Sequence, residues 1–440
     1  MSQPIRLISV RHRIVGLLAA FSLVAYVLRM NISIAAKFMM PELGLTQIQM
    51  GQVFSAFMLG YAIFQVPWGV WGDRAGPRVM LTVATLSWAV TTALTGFLPG
   101  FLIPAGVSAF LCLLALRFLL GIGQAAAYPL AARAVANWMP STERAFGYSL
   151  IIAAAAAGSA FTGPLVAWCM VTLGWRTSFY LSATLALAAA GVWHWYATDH
   201  PDTHSGISPE ELSFIKAGKS VIAQERPSAS WLPLLRNRNI SLICISYFLD
   251  SYVLFMFIFW FYLYLVEERK FSVLGGGLFS SMPYILALAV VPAGGYLSDH
   301  LCKTLGKRLG RRVVAMGGFT VSAAALFLGV QAADAYLAIA ALSVSVAFLM
   351  ATEGPFWSSA IDVAGPQAGA SGGIMNMAGN LGGVVSTALV PILVKDFGWI
   401  IALGSGSVLA VIAGLIWLLI RVDQPQTSTA EEAQVSEAVR

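Results

Sequence analysis

The chain has 440 residues, 58% of them hydrophobic and only 10% charged, with a formal net charge of +6. Water-soluble domains carry about 45–50% apolar and about 25% charged residues, so the surplus must face lipid. Disorder, a coiled coil and a secreted disulfide scaffold are excluded on the same figures. Long, predominantly apolar runs such as Leu326–Ala351 exclude a β-barrel, and positive charge spread over loops excludes a nucleic-acid partner.

A spanning helix takes about 20 apolar residues, and the apolar fraction suffices for about twelve. The spans predicted in chain order are 14–36, 48–71, 79–98, 104–136, 146–170, 177–197, 239–265, 273–297, 313–332, 335–361, 369–394 and 399–420. Residues 1–197 then form an N-terminal six-helix half and 239–422 a C-terminal one. Between them, 198–238 reads as a cytoplasmic linker with Pro201, Pro209, Pro227 and Pro233, and 423–440 as a disordered acidic tail. Arg11-His12-Arg13 precedes a run too long for a signal-peptide core, so the first span is expected to be retained. Of the 26 lysines and arginines, 18 fall on the side of the termini, 5 on the other side, and Arg29, Arg117 and Arg133 within spans. That bias places both termini in the cytoplasm of a multi-pass inner- or plasma-membrane protein.

After span two comes Gly69-Val-Trp-Gly-Asp73-Arg74-Ala-Gly76-Pro-Arg78. After span eight comes Gly295-Tyr-Leu-Ser-Asp299-His300, followed by a basic run through Arg312. Asp73 and Asp299 are 226 residues apart, about half the chain, which indicates a duplicated six-helix unit. Gly69 would let two helices approach closely. Asp73 could accept hydrogen bonds from a neighbouring helix N-terminus, and the basic residues could pair across a gate.

Charge inside the spans is the strongest chemical signal. Arg29 lies about 15 residues into span one, roughly 22 Å along a helix, and Arg117 is near the middle of span four. Such residues cost about 2.5–3.5 kcal/mol each to insert and need anionic partners. A carboxylate substrate is one partner, because guanidinium binds it bidentately; structural ion pairs with Asp250 and Glu353 are the alternative. Tyr61 offers a hydroxyl to a substrate or packs as an aromatic. Asn376 and Asn380 share one helix face and suit a polyhydroxy substrate or interhelical hydrogen bonds. Asp250, roughly 16 Å into span seven, is a proton carrier or a structural counter-ion, while Glu353 and Arg133 read as structural. Gly121-Ile-Gly123-Gln is a partial glycine motif inside a span, there is no Walker loop, and the five histidines and four isolated cysteines have no metal spacing. No cofactor, no metal and no enzymatic activity are expected.

The GxxxDRxGxR loop resembles the signature of the major facilitator superfamily. Further segments resemble its anion:cation symporter branch, which includes sugar-acid and hexuronate permeases, sialin and the vesicular glutamate transporters. They are Arg29-Met-Asn31 with Pro41-Glu-Leu-Gly-Leu, Ser55-Ala-Phe with Gly60-Tyr61, Arg117-Phe-Leu-Leu-Gly, Trp138-Met-Pro-Ser-Thr-Glu143-Arg144-Ala, Gly354-Pro-Phe-Trp357, and Asn376-Met-Ala-Gly-Asn380-Leu-Gly-Gly. The resemblance implies an all-α integral membrane protein of the major facilitator fold, with 12 transmembrane helices in two pseudo-symmetric six-helix halves. It implies secondary active transport of a small organic anion by alternating access, by a monomer. Arg29 and Arg117 would hold the substrate carboxylate, and Tyr61, Gln124, Asn376 and Asn380 would orient it. Gly69, Asp73, Arg74, Gly76, Arg78 and Asp299 would latch the cytoplasmic side. The chain departs from the branch at two positions: Leu28 and Gln124 stand where many members have the acids that take up the coupling proton. Asp250 is the substitute if H+ is co-transported. An uncoupled facilitator, an anion exchanger and a non-transporting membrane sensor stay open.

Overall fold

The computed structural model describes residues 9–102, 108–140, 143–217, 234, 236–364 and 367–422. The expected tail at 423–440 and the middle of the linker lie outside the described residues, as does the side chain of Asp73. All regular structure among the described residues is helical. The helices are α1 (Val10–Leu43), α2 (Gln47–Ala75), α3 (Pro77–Leu102), α4 (Ala109–Gln124), α5 (Ala127–Trp138), α6 (Arg144–Leu173), α7 (Trp175–Tyr196) and α8 (Pro209–Ala217). They continue with α9 (Arg238–Glu267), α10 (Val273–Phe279), α11 (Met282–Leu305), α12 (Lys307–Gln331), α13 (Ala335–Met350), α14 (Glu353–Ala364) and α15 (Ala368–Ile416). Ten continuous stretches are long and apolar enough to cross a membrane. The last is bent at Gly398 and so supplies two spans, and the 22-residue α7 completes the twelve. Apolar side chains such as Phe97, Phe101, Val171, Leu328 and Leu419 point outward, as a lipid-facing surface requires.

The duplication is visible in the backbone. Gly76 and Gly306 open α3 and α12 with φ of 82°, and Gly174 and Gly398 open the sixth and twelfth spans with φ of 83° and 81°. These are left-handed backbone values that L-residues with a Cβ avoid, so each sharp corner needs glycine. The fourth and tenth spans are both broken, where single helices were expected. Ala126 N–H bonds the carbonyl of Gly123, and Thr352 N–H that of Leu349, three residues back instead of four. This tightened turn separates α4 from α5 and α13 from α14.

The described chain divides into two compact units. The first holds the described residues of Met1–Ala223 with Phe255–Leu288 and Val384–Ala402. In it α1 packs on α6, α2 on α4 and α3 on α7, with Trp88 and Trp193 closing edge-on against Phe21. The second holds the described residues of Gln224–Leu254, Ala289–Gly383 and Leu403–Arg440, and its aromatic hub is Phe356 between Tyr247, Phe319 and Trp417.

The linker is more structured than its proline content suggests. Helix α8 places Glu211 on the backbone N–H groups of Val10 (3.2 Å) and Arg11 (2.9 Å), where it caps the start of α1. Arg11 bonds Glu143 at 3.0 Å and pairs with Glu211 at 3.6 Å.

Candidate functional site

Four of the expected site residues come together in the first unit. The α2/α4 crossing that assembles them is close because both contact points are glycine. A Cβ on Gly60 would strike the carbonyl of Phe118, and one on Gly121 the carbonyl of Phe57. This brings Tyr61 and Phe57 of α2 against the α4 face that carries Arg117 and Gln124.

Arg29 projects from α1 into an aromatic box and is 3% exposed. Its guanidinium carbon lies 4.7 Å from the ring centre of Tyr26, 5.2 Å from Phe57 and 4.6 Å from Tyr61. Ring faces attract a cation, worth about 2 kcal/mol each when desolvated, and leave the N–H edge to find its own acceptor. Within the protein that acceptor is weak: Nε donates to Oε1 of Gln124 at 3.4 Å, and Gln124 in turn donates to the carbonyl of Ala25 at 3.0 Å. A void of about 10 Å³ beside Arg29, lined by Ser22, Ala25 and Tyr128 among others, has room for one water-sized group.

Arg117 is fully buried. Its Nη1 donates to the carbonyl of Leu28 at 3.4 Å, and its guanidinium carbon lies 5.5 Å from the ring of Phe179. Its Nε and Nη2 have no hydrogen-bond partner among the described residues. Phe179 is held there by a clasp between α1 and α7. Asn31 donates to the carbonyl of Ser178 (3.0 Å) and to Oγ of Ser182 (2.9 Å), and accepts from Oγ of Ser178 (2.9 Å). Among the described residues of this unit, no carboxylate pairs with either arginine. Sequence reasoning missed Tyr26, Phe57, Phe179 and the Asn31 clasp. Tyr26 was findable, since it stands three residues before Arg29 on one helix face.

The second unit carries two acids within its spans, Asp250 buried and Glu353 half-buried. Asp250 accepts from the hydroxyl of Thr352 at 3.1 Å. Glu353 accepts from Tyr247 at 3.2 and 3.1 Å and from the indole of Trp357 at 3.0 Å. Among the described residues of this unit neither acid is paired with a base. Asn380 is buried and donates to the carbonyl of Asn376 on its own helix at 2.7 Å, so that amide hydrogen bond is intrahelical.

The gate residues behave differently from one another. The close approach expected at Gly69 falls one turn later, because a Cβ at Gly69 would meet nothing nearer than 3.9 Å, whereas one at Gly72 would strike Leu130. Asp199, which the sequence did not suggest, fills the space beside Gly76 and accepts from the backbone N–H of Arg78 at 2.7 Å. The Arg78 side chain donates to the carbonyl of His194 at 3.1 and 2.6 Å, and Arg74 is exposed. In the second unit Asp299 is exposed, and the basic loop turns to Asp362 instead. Lys307 bonds Asp362 at 3.3 Å, and Arg311 lies 2.5 Å from its Oδ2 in a close ion pair without hydrogen-bond geometry.

Residues 18–387 match the family profile described as Major Facilitator Superfamily. The chain is 35% identical over 393 residues to a protein of Cupriavidus necator named "Probable sulfoacetate transporter", covering 89% of each chain. It is 30% identical over 381 residues to the "Hexuronate transporter" of Bacillus subtilis, covering 85% of each. Its fold is similar to the crystal structure of a bacterial homologue of the human lysosomal transporter Spinster, with a TM-score of 0.75 at 14% identity, over 96% of this chain and 98% of that one.

Proposed function

The chain belongs to the major facilitator superfamily and is a multi-pass membrane transporter rather than an enzyme; on that footing we propose that it moves a small organic anion by alternating access. The observation that supports this reading most directly is the pair of buried arginines with no carboxylate partner among the described residues of their unit. A buried uncompensated charge is costly, and an anionic cargo offsets that cost in the loaded state. Arg29 is the direct contact, with its guanidinium faces against aromatic rings and its N–H edge held by neutral groups, a long bond to Gln124 and the hydroxyl of Tyr61. Tyr61 and Gln124 shape the same pocket. Relatives named for sulfoacetate and hexuronate transport favour an organic acid as the cargo.

Proton-coupled uptake is the second element of the proposal, with Asp250 as the titrating group and both termini cytoplasmic. A carboxyl that is buried, held by one hydroxyl and unpaired with a base in its unit is suited to carry a proton. The test uses purified protein in liposomes and labelled sulfoacetate and glucuronate. Counterflow of one or both acids is expected, with loss in Arg29→Ala. Counterflow unchanged by that substitution would remove Arg29 from the site. Accumulation indifferent to an imposed proton gradient would remove the proton.

A further inference from the structure

The two arginines are bonded crosswise to the helices that carry them. Arg29 of α1 reaches Gln124 of α4, and Arg117 of α4 reaches the carbonyl of Leu28, the residue next to Arg29. The side chains at 28 and 124 are an alkyl group and a neutral amide. Neither can supply a negative charge at any pH. The ionisable groups that face Arg29 are the tyrosines Tyr26, Tyr61 and Tyr128, and the ring facing Arg117 is Phe179. Two positive charges are therefore tied to the same two helices with no carboxylate counter-charge among the described residues of their unit. Arg117 adds two guanidinium nitrogens that bond nothing among the described residues.

From this charge count we infer that the site selects a dianion: a small acid carrying two fully ionised groups, such as a dicarboxylate or a sulfocarboxylate, over a monoanion of the same skeleton. The inference rests on the organic-anion reading above and sharpens it. One anionic group takes the N–H edge of Arg29 in place of its neutral partners. Arg117 does not need to touch the cargo, because a second buried unit charge on the neighbouring helix, in a water-poor site, acts through its field. A monoanion leaves one of the two charges uncompensated and loses that attraction.

The test measures binding by thermal shift on purified full-length protein at neutral pH. Its ligands are matched pairs: acetate and malonate, methanesulfonate and sulfoacetate, gluconate and glucarate. The dianion should bind at least tenfold more tightly than its partner in each pair that binds at all. Gln124→Glu is nearly isosteric and places a carboxylate against Arg29; it should erase that advantage or reverse it. Leu28→Asp, which adds a carboxylate on the Arg117 side, should do the same where it folds. Equal binding of the two members of each pair by the wild type would overturn the inference while leaving organic-anion transport standing. A dianion preference that Gln124→Glu leaves untouched would overturn it too, since the preference would then not come from these charges. No binding by any of the six acids would overturn both readings.

Discussion

The two units share a backbone plan and differ in buried charge. In the first, Gly158 of α6 packs against the main chain of Leu23 on α1; in the second, Gly382 of α15 packs against the carbonyl of Phe248 on α9. Both fourth helices break at the same kind of tight turn, and both breaks carry site residues, Gln124 beside one and Thr352 with Glu353 at the other. On that common frame the first unit buries two arginines, while the second buries Asp250 and holds the half-buried Glu353 close by in the chain at the helix break. Duplication preserved the helix crossings, which depend on steric fit. The charges are where the two units differ, and under the proposed function the cargo contact falls in the first unit and the driving ion in the second.

If that division of labour holds, substitutions in the two units should fail in different ways. Arg29→Ala should lower counterflow at least a hundredfold, since an ionic contact of about 3 kcal/mol is lost where nothing else in the unit replaces it. Asp250→Asn should leave counterflow within a few-fold of wild type and abolish uphill accumulation driven by a proton gradient. Counterflow lost in both variants would mean that the units do not separate the two tasks.

The shared frame can be broken on its own terms. A valine at Gly158 or at Gly382 must push its branches into the facing main chain, and overpacking of this kind costs about 1–3 kcal/mol or more. The two variants should lower the thermal unfolding midpoint by similar amounts. A large loss from one and none from the other would show that only one crossing is structurally required.

How much of this was readable beforehand follows from the range of the forces involved. The spans were legible because a continuous apolar run of the right length has few other uses in a chain. The arginines were legible because a buried charge is expensive wherever it lies. The breaks at Ala125–Ala126 and Ala351–Thr352 were not, since alanine is the best helix former and gives no local stop signal. The tertiary partners were equally hidden: Phe179 reaches Arg117 from α7, and Asp199 reaches the start of α3 from beyond the sixth span. Such pairings are set by packing across the bundle, and one sequence carries no record of them. The gate motif shows both limits. Its glycines and basic residues were recognised, yet among the described side chains the acids that hold the two loops are Asp199 and Asp362, neither of which belongs to the motif.

Those two acids allow the smallest test and the most discriminating one. Asp199 holds its loop by accepting from a backbone N–H at the first turn of α3, so what it supplies is a side-chain oxygen at a helix start. Asparagine caps helix starts about as well as aspartate, whereas alanine costs about 1 kcal/mol. Asp362 holds its loop through the charges of Arg311 and Lys307, the second of them well exposed. Removing that charge should cost about 1 kcal/mol whichever neutral residue replaces it. Thermal unfolding should therefore rank Asp199→Ala clearly below Asp199→Asn, with the asparagine variant near wild type, while Asp362→Ala and Asp362→Asn fall together. If Asp199→Asn were as damaging as Asp199→Ala, the first loop would also be held by charge, and the contrast between a capped loop and a paired one would disappear.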